Sequence, residues 1–595
     1  MRPARRWQPL GEDLFLYPDT CNVYLLRYGD CGLAIDFGSG RWLEHLGEIG
    51  VRQVEHVALT HAHRDQCAGL YRGVGGPWTV HVPQGELALL QGLDSFWRNC
   101  QSAGCPSSYA APCLPLGRVQ ADLAGDAERR LGPALLCGVA TPGHNQGALS
   151  YLVEWRGRHL AFCGDAAHTG GKIHQPYHLE WDHWTPGGAL AAWQGLERLG
   201  NCHFDWLLPS HGPPILRQAR ACVRQVQRRL MDLIRAKGSV CAGEPNRWHE
   251  VEPLACGASR VLPHLYQFGA NSFLLVSRAG AGLVVDPTLA DVEQLEPLRT
   301  EIGLERVEVT TASHYHLDHS DGLNWVRRQY GAKVWLQPWV EAPLRRRDQW
   351  DLPWLPATDV VTDRRWPEQG RWRWREYPFE IYPFPGQTWW HCAFATQVDG
   401  RRVLFSGDNF QPPSRWNGTG GFCSFNGSRF REGFARSARL ILDLAPELIC
   451  NGHGCVYRFA PSHYRRILKW SGQAERAVHA LCPSADWLAD YDCRAFTWEP
   501  FVSRAAPGQR LRLHLVHRNH RRRAVELKGR AVGPPDWKTS PAQRQVRVKA
   551  GASGRLRFEV QVPAEAAPGR HLVAAEVESG GRLLGEVCAA IVDIA

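Results

Sequence analysis

The 595-residue sequence contains no apolar run near the ~20 residues that a membrane-spanning helix requires. Three arginines (Arg2, Arg5, Arg6) stand near its start, but no apolar core follows them before Asp19, so a secretory leader is not expected. CxxC pairs are absent, and 19 cysteines, an odd number, cannot all pair within one chain. That excludes a disulfide scaffold and leads us to expect reduced thiols and a cytoplasmic protein. P-loop, GxSxG and GxGxxG-plus-acid patterns are also missing, which removes the common signatures of nucleotide binding and serine hydrolysis. Net charge is scarce over most of the chain. Of the total +10, Arg494 to the end contributes 18 Lys+Arg against 9 Asp+Glu. Basicity therefore belongs to the tail: nucleic acid is not expected as a partner, whereas the tail, with "RNHRRR" at 518–523, is a candidate surface for an acidic one.

What is present is a long internal repeat. "CGLAIDFGSG" (31–40) and "AGLVVDPTLA" (281–290) are apolar strands closed by an aspartate, Asp36 and Asp286. "LTHAHRDQCAG" (59–69) is answered by "TASHYHLDHSDG" (311–322), and "TPGHNQGALSYLVEWRGRHLAFCGDAAH" (141–168) by "FPGQTWWHCAFATQVDGRRVLFSGDNF" (384–410). "WLLPSHGPP" (206–214) matches "LICNGHGCV" (448–456). The same landmarks in the same order, 242 to 253 residues apart, mark a tandem duplication. The helical spacing of 215–238 closes the first copy, and 239–259 links it to the second. Beyond about residue 490 the pattern becomes period-two, as in Leu511, Leu513 and Leu515 against Arg510, Arg512 and His514. That texture predicts a small all-β, immunoglobulin-like sandwich. The expected domains are 1–240, 241–490 and 491–595.

The repeated residues carry metal chemistry. In the first copy His61, His63 and His144 offer three imidazoles that suit Zn²⁺ and leave a position for water. Asp65, Asp165 and His211 offer a second set, with Asp165 able to bridge two ions. Asp65 and Asp318 are the expected catalytic carboxylates, ligating the second ion and orienting its hydroxide. Cys67, Cys163, Cys392 and Cys455 flank the clusters and read as buried thiols.

"THAHRDQ" and "SHYHLDH" resemble the HxHxDH motif of the metallo-β-lactamase superfamily, and "TPGHNQGALSY", "FCGDAAH" and "PSHGPP" resemble its later motifs. The resemblance implies an α/β fold: two tandem αββα sandwiches, each with a mono- or dinuclear site at one edge of its sheets. "TPGH" and "FCGD" make the first copy most similar to the glyoxalase II-like branch. The family is mostly hydrolytic, acting on β-lactams, lactones, thioesters and phosphoesters, but it includes iron-dependent sulfur dioxygenases and diiron redox proteins. Each copy departs from the pattern once. Gln66 replaces the motif's last histidine, which predicts a mononuclear or asymmetric first site. Gln387 stands where His144 stands in the first copy, with His391 four residues on, either reaching the ion or ordering its own loop. His314, His316, Asp318, His319, Asp408 and His453 complete the second set.

The expectation is a metal-dependent hydrolase of a small ester, thioester, lactone or related substrate, holding one or two Zn²⁺ per domain, with iron or manganese as alternatives. The rival readings are an iron-dependent oxygenase of sulfur metabolism and a scaffold in which one copy only binds. Val340–Pro378, rich in Trp, Arg and Pro, is the expected substrate loop of the second copy.

Overall fold

The computed structural model describes residues 6–71, 76–90, 119–238, 240 and 245–595; part of the expected linker, 239 and 241–244, lies outside them, as do Arg2 and Arg5. By their contacts the residues form two units. One comprises Met1–Trp181, Pro186–Ile234 and Ala477–Ala595, the other Asp182–Thr185 and Arg235–Arg476.

The first repeat is built on two sheets. Seven strands run in chain order from Gln8–Gly11 to Val119–Leu123, and a five-stranded sheet runs from Trp206–Pro209 through Arg158–Gly164, Leu149–Trp155 and Ala134–Ala140 to Glu128–Leu131. Alternate residues of each strand face the other sheet, so Leu33, Ile35, Leu136, Tyr151 and Phe162 meet in one buried layer. The opposite face of the larger sheet packs Val57, Leu59 and Val80 against Trp42, Cys67 and Tyr71. Helix Gly187–Asn201 covers strand Ala134–Ala140 of the smaller sheet. The result is the expected αββα layering.

The second repeat has the same plan. Its eight-stranded sheet includes Ser272–Val276, Ala281–Val285 and Arg306–Thr311, and its six-stranded sheet includes Tyr377–Pro383, Cys392–Val398, Arg401–Gly407 and Leu448–Asn451. Phe273, Val285, Phe379, Phe394 and Phe405 fill the layer between them. In both repeats the strand ending in the early aspartate pairs in parallel with the strand that leads into the paired histidines. A parallel pair brings its two C-terminal ends to one edge, where sites on α/β sheets form.

The C-terminal residues form four-stranded and five-stranded sheets, the second including Arg582–Ile594 and Gly569–Ser579. Strand Arg510–Arg518 buries Leu511, Leu513, Leu515 and His517 on its inner face, the period-two pattern that the sequence predicts. All strand pairs but Val502–Ala505 with Arg582–Ile594 are antiparallel. This β-sandwich belongs to the same unit as the first repeat.

Candidate metal centres

Each ligand of the first repeat follows the end of a strand or lies in the turn between two. His61 and His63 follow strand Gln53–Ala58, and Asp65 lies in the first turn of helix Arg64–Tyr71. His144 occupies the turn between Ala134–Ala140 and Leu149–Trp155; Asp165 follows Arg158–Gly164, and His211 follows Trp206–Pro209. All six are drawn together. His63 Nδ1 lies 3.2 Å from His61 Nε2 and 3.1 Å from His144 Nε2. Nitrogens on a tetrahedral zinc ion at ~2.0–2.1 Å stand roughly 3.3 Å apart, so the three imidazoles fit one ion. Asp165 Oδ2 is 3.6 Å from His61 Nε2 and 3.5 Å from His144 Nε2, while its Oδ1 lies 2.8 Å from His211 Nδ1. It therefore stands between two groups of donors. His211 Nε2 is 3.0 Å from Asp65 Oδ2.

The second group holds a residue that sequence reasoning missed. His174 stacks on His211 with ring centroids 3.7 Å apart, and ligand atoms of Asp65, His174 and His211 lie within 4.8 Å of one another. Gln66 is fully buried beside them; with its amide nitrogen toward Asp65 it donates to Asp65 Oδ1 at 2.6 Å and to the His63 carbonyl at 3.3 Å. His178 adds a further imidazole, its ring 4.3 Å from His63 and 4.6 Å from His144. The available signal was four histidines, 168, 174, 178 and 183, within sixteen residues after the Asp165 motif.

Burial sets the protonation of the first group. It lowers His61 and His144 far below the usual imidazole range and brings His63 to about 4, so all three are neutral at pH 7 and have lone pairs to give. In the second group burial keeps His174 neutral, but at Asp65 and His211 it is outweighed. The hydrogen bond and charge of His211 hold Asp65 below the usual carboxylate range, and Asp165 with Asp65 raises His211 to about 10.

Two carboxylates hold these loops. Asp36, at φ 59°, accepts from Thr60 N (2.8 Å), Thr60 Oγ1 (3.0 Å) and Ser210 Oγ (2.6 Å). Thr60 Oγ1 also lies 3.0 Å from His61 Nδ1. Donating to Asp36, the hydroxyl accepts from Nδ1–H and leaves Nε2 free for a metal. Glu86, also missed from the sequence, accepts from Ala62 N (2.9 Å), Asn145 Nδ2 (2.5 Å) and Gly147 N (2.7 Å). It ties the His61–His63 turn to the His144 turn, and burial raises its pKa to about 7.

In the second repeat, Asp286 at φ 51° holds Ser313, whose Oγ lies 3.1 Å from His314 Nδ1 and donates to Asp286 at 2.7 Å, the same relay. The second-ion set is assembled. His319 Nε2 is 3.2 Å from Asp408 Oδ1 and 3.8 Å from Asp318 Oδ2; His453 Nε2 is 3.2 Å from Asp408 Oδ2 and 3.7 Å from Asp318 Oδ2. His314 and His316 are buried, and their Nε2 atoms have no hydrogen-bond partner among the described residues. Buried nitrogens left bare in this way suit a metal rather than a packed core. Gln387 lies 3.2 Å from Asp408 Oδ2 and, through the same nitrogen, 3.2 Å from His183 Nε2. His183 is a buried imidazole from 204 residues earlier, the last of the same run of histidines. His391 stacks on His314 at 4.8 Å and stands outside the ligand groups found among the described residues. A Cβ at Gly407 (φ +50°) would collide with Ser313 and His391, so this crossing needs glycine.

Within Val340–Pro378, Trp354 lies over the second site, its ring 5.2 Å from His316 and 4.8 Å from His183. Trp389 stacks on Trp339, and Trp390 packs against Tyr315 and Trp350. Every described cysteine is a free thiol; burial pushes Cys67 to about 12 and Cys455 to about 11, so both are protonated at neutral pH.

The family described as "Metallo-beta-lactamase superfamily" matches residues 16–201 and 265–453, and the "NPCBM-associated, NEW3 domain of alpha-galactosidase" matches 505–579. No curated protein matches. Among solved structures, the metallo-beta-lactamase of Cronobacter sakazakii with the HARLDQ motif is 17% identical, covering 39% of this chain and 98% of its own, at a TM-score of 0.30. A metallo-beta-lactamase family protein from Thermus thermophilus is 20% identical over 38% of this chain and 83% of its own (TM-score 0.30). A subclass B3 metallo-beta-lactamase of Bradyrhizobium japonicum is 14% identical over 39% and 93% (TM-score 0.28).

Proposed function

Because the chain belongs to the metallo-β-lactamase superfamily, we propose that it is a metal-dependent hydrolase of a small ester, thioester, lactone or related compound, with the first repeat as a working site. The observation that carries the reading is the convergence of His61, His63 and His144 on one point, with Asp165 between them and a second donor group. His61 Nε2, His63 Nδ1 and His144 Nε2 would hold the first divalent ion; Asp65, His174 and His211 would hold the second, with Asp165 shared. In the second repeat Asp318, His319, Asp408 and His453 would hold an ion. Bound there, a divalent ion polarises a carbonyl or phosphoryl oxygen and acidifies water. The chain's own part is orientation and proton handling. Asp65, kept ionised by His211, would orient the attacking water by accepting its hydrogen bond. The neutral imidazoles keep their lone pairs inward, and Thr60 with Asp36 fixes the His61 ring.

A reducing, cytoplasmic setting belongs to the same proposal, supported by the protonated free thiols; among the described residues no helix is long and apolar enough to cross a membrane. Metal analysis of protein purified without added metal, with turnover on a panel of esters, thioesters and lactones, tests the reading. Zinc with hydrolysis that falls in Asp65→Ala or Asp318→Ala is expected. Iron with oxygen consumption on persulfides would establish the oxygenase instead, and unchanged turnover in both variants would show that neither site is catalytic.

A further inference from the structure

The β-sandwich is built into the mouth of the first repeat's site. A cavity of about 170 Å³ is lined by His63, Asp65, His174 and His211 on one side and by Arg521 and Arg582 of the sandwich on the other. One buried contact fixes the two sides together, and two more tie the segment before His174 to the end of helix Pro461–Leu481 beside them. Arg64, beside the ligand Asp65, forms a buried ion pair with Glu586 on the strand that begins at Arg582. Ile173 N, one residue before His174, donates to Leu481 O at 2.9 Å, and Lys172 Nζ donates to Ala480 O at 2.9 Å. A buried pair of this kind is costly to break, so the cavity is a permanent part of this unit.

Its charge is unbalanced. Arg64 is matched by Glu586, and Asp492 by His520 at 2.7 Å. Asp490 is the remaining carboxylate on the sandwich side, and it already accepts the Ser484 backbone N–H. Against it stand Arg518, Arg521 and Arg582, and none of the three guanidinium groups has an ion-pair partner among the described residues. Desolvation and then the charge of Arg521 lower the Arg582 pKa, and the nearby charges of Asp490 and Asp65 only partly oppose them. On the ligand side Asp65 and Asp165 are engaged by His211. A cavity whose spare groups are planar, cationic hydrogen-bond donors is complementary to an oxyanion.

We propose that the first repeat's site acts on a substrate bearing a phosphate, sulfate or carboxylate group, and that Arg521 and Arg582 of the β-sandwich hold that group while the ligand side faces the scissile bond. This rests on the hydrolase reading for its chemistry but not for its binding. It also gives the basic segment 518–523 a role: specificity for a small anion rather than contact with an acidic macromolecule.

The test uses the full chain, an Arg521→Gln/Arg582→Gln pair that removes both charges but keeps most of each stem, and an Arg521→Lys/Arg582→Lys pair that keeps the charges. Metal-stripped protein is titrated calorimetrically with inorganic phosphate. The glutamine pair is expected to bind it about tenfold or more weakly than the parent, and the lysine pair within about threefold. With metal restored, KM for an ester carrying a free carboxylate should rise by a similar factor in the glutamine pair, while KM for its uncharged methyl ester stays put. Equal phosphate affinity in all three proteins would overturn the proposal, and so would an equal rise in KM for both esters. Arginine-dependent phosphate binding without turnover of either ester would remove the hydrolase reading and leave the anion site standing.

Discussion

Under the proposed function, His174 and Gln66 would decide how many ions the first repeat holds. A glutamine at the motif's last position removes an imidazole from the second ion, and taken alone it predicts one ion. His174 supplies an imidazole to the same cluster, and Gln66 becomes a buried donor that orients Asp65. His174→Ala is therefore expected to weaken the second ion of this site by at least roughly tenfold while the first ion stays. Metal counts during stepwise chelation read this directly, and an unchanged count would return the site to a single ion. Glu86→Gln tests the neighbouring support. All three groups on its carboxylate are donors, so an amide nitrogen there must face one of them and leave it unsatisfied. A loss of about 1–3 kcal/mol in denaturant unfolding is expected, because a buried donor is left without an acceptor.

At the scale of elements, the sheet edge does the assembling. In both repeats an aspartate ending one strand grips the hydroxyl at the start of the next loop, Asp36 with Thr60 and Asp286 with Ser313, and that hydroxyl fixes a histidine. Thr60→Ser should preserve metal binding. Thr60→Val should weaken the first ion by about 10- to 100-fold, the usual effect of losing a group that orients a ligand; competition with a chromogenic chelator measures it. These strand-end residues were legible in the sequence because each lies close to the end of an apolar strand, and the duplication repeats them in order. What covers the site was not. His174 lies 109 residues from Asp65, and His183 lies 204 residues from Gln387, and neither sits in a periodic pattern. Likewise, the alternation in Arg510–Arg518 announces a sandwich but says nothing of where its loops and edges dock. Period-two and strand-end signals report which face of a strand is buried, whereas a loop folded across a site leaves no periodic trace.

For the whole molecule, both units should lose stability as pH falls from neutrality. In the unit containing the second repeat, burial lowers His463 to about 4, His391 to about 3 and His316 to about 4 from an ordinary 6.5. Their folded-state values lie below their unfolded ones, so between these values the unfolded chain binds more protons. Stability is thus complete above pH 6.5 and is lost as pH falls toward 4. The other unit has His63 and His517, each lowered to about 4, and His61, His144, His174 and His178, all lowered well below the ordinary value by burial; against them stand Asp36 and Glu86, each raised to about 7. Those carboxylates act in the opposite direction: their stabilisation is complete below their unfolded values and fades as pH rises through about 7. The two carboxylates offset only part of the histidine slope, so this unit too should lose stability as pH falls across the interval. In metal-stripped protein, hydrogen exchange followed on peptides from 370–458 and from 14–58 should accelerate in both between pH 6.5 and 4, after correction for intrinsic rates. Replacing His463 by Gln should remove about one proton from the steep dependence. Exchange that stays flat across this interval in both sets, or an unchanged slope in the His463 variant, would show that the buried histidines do not set the acid response.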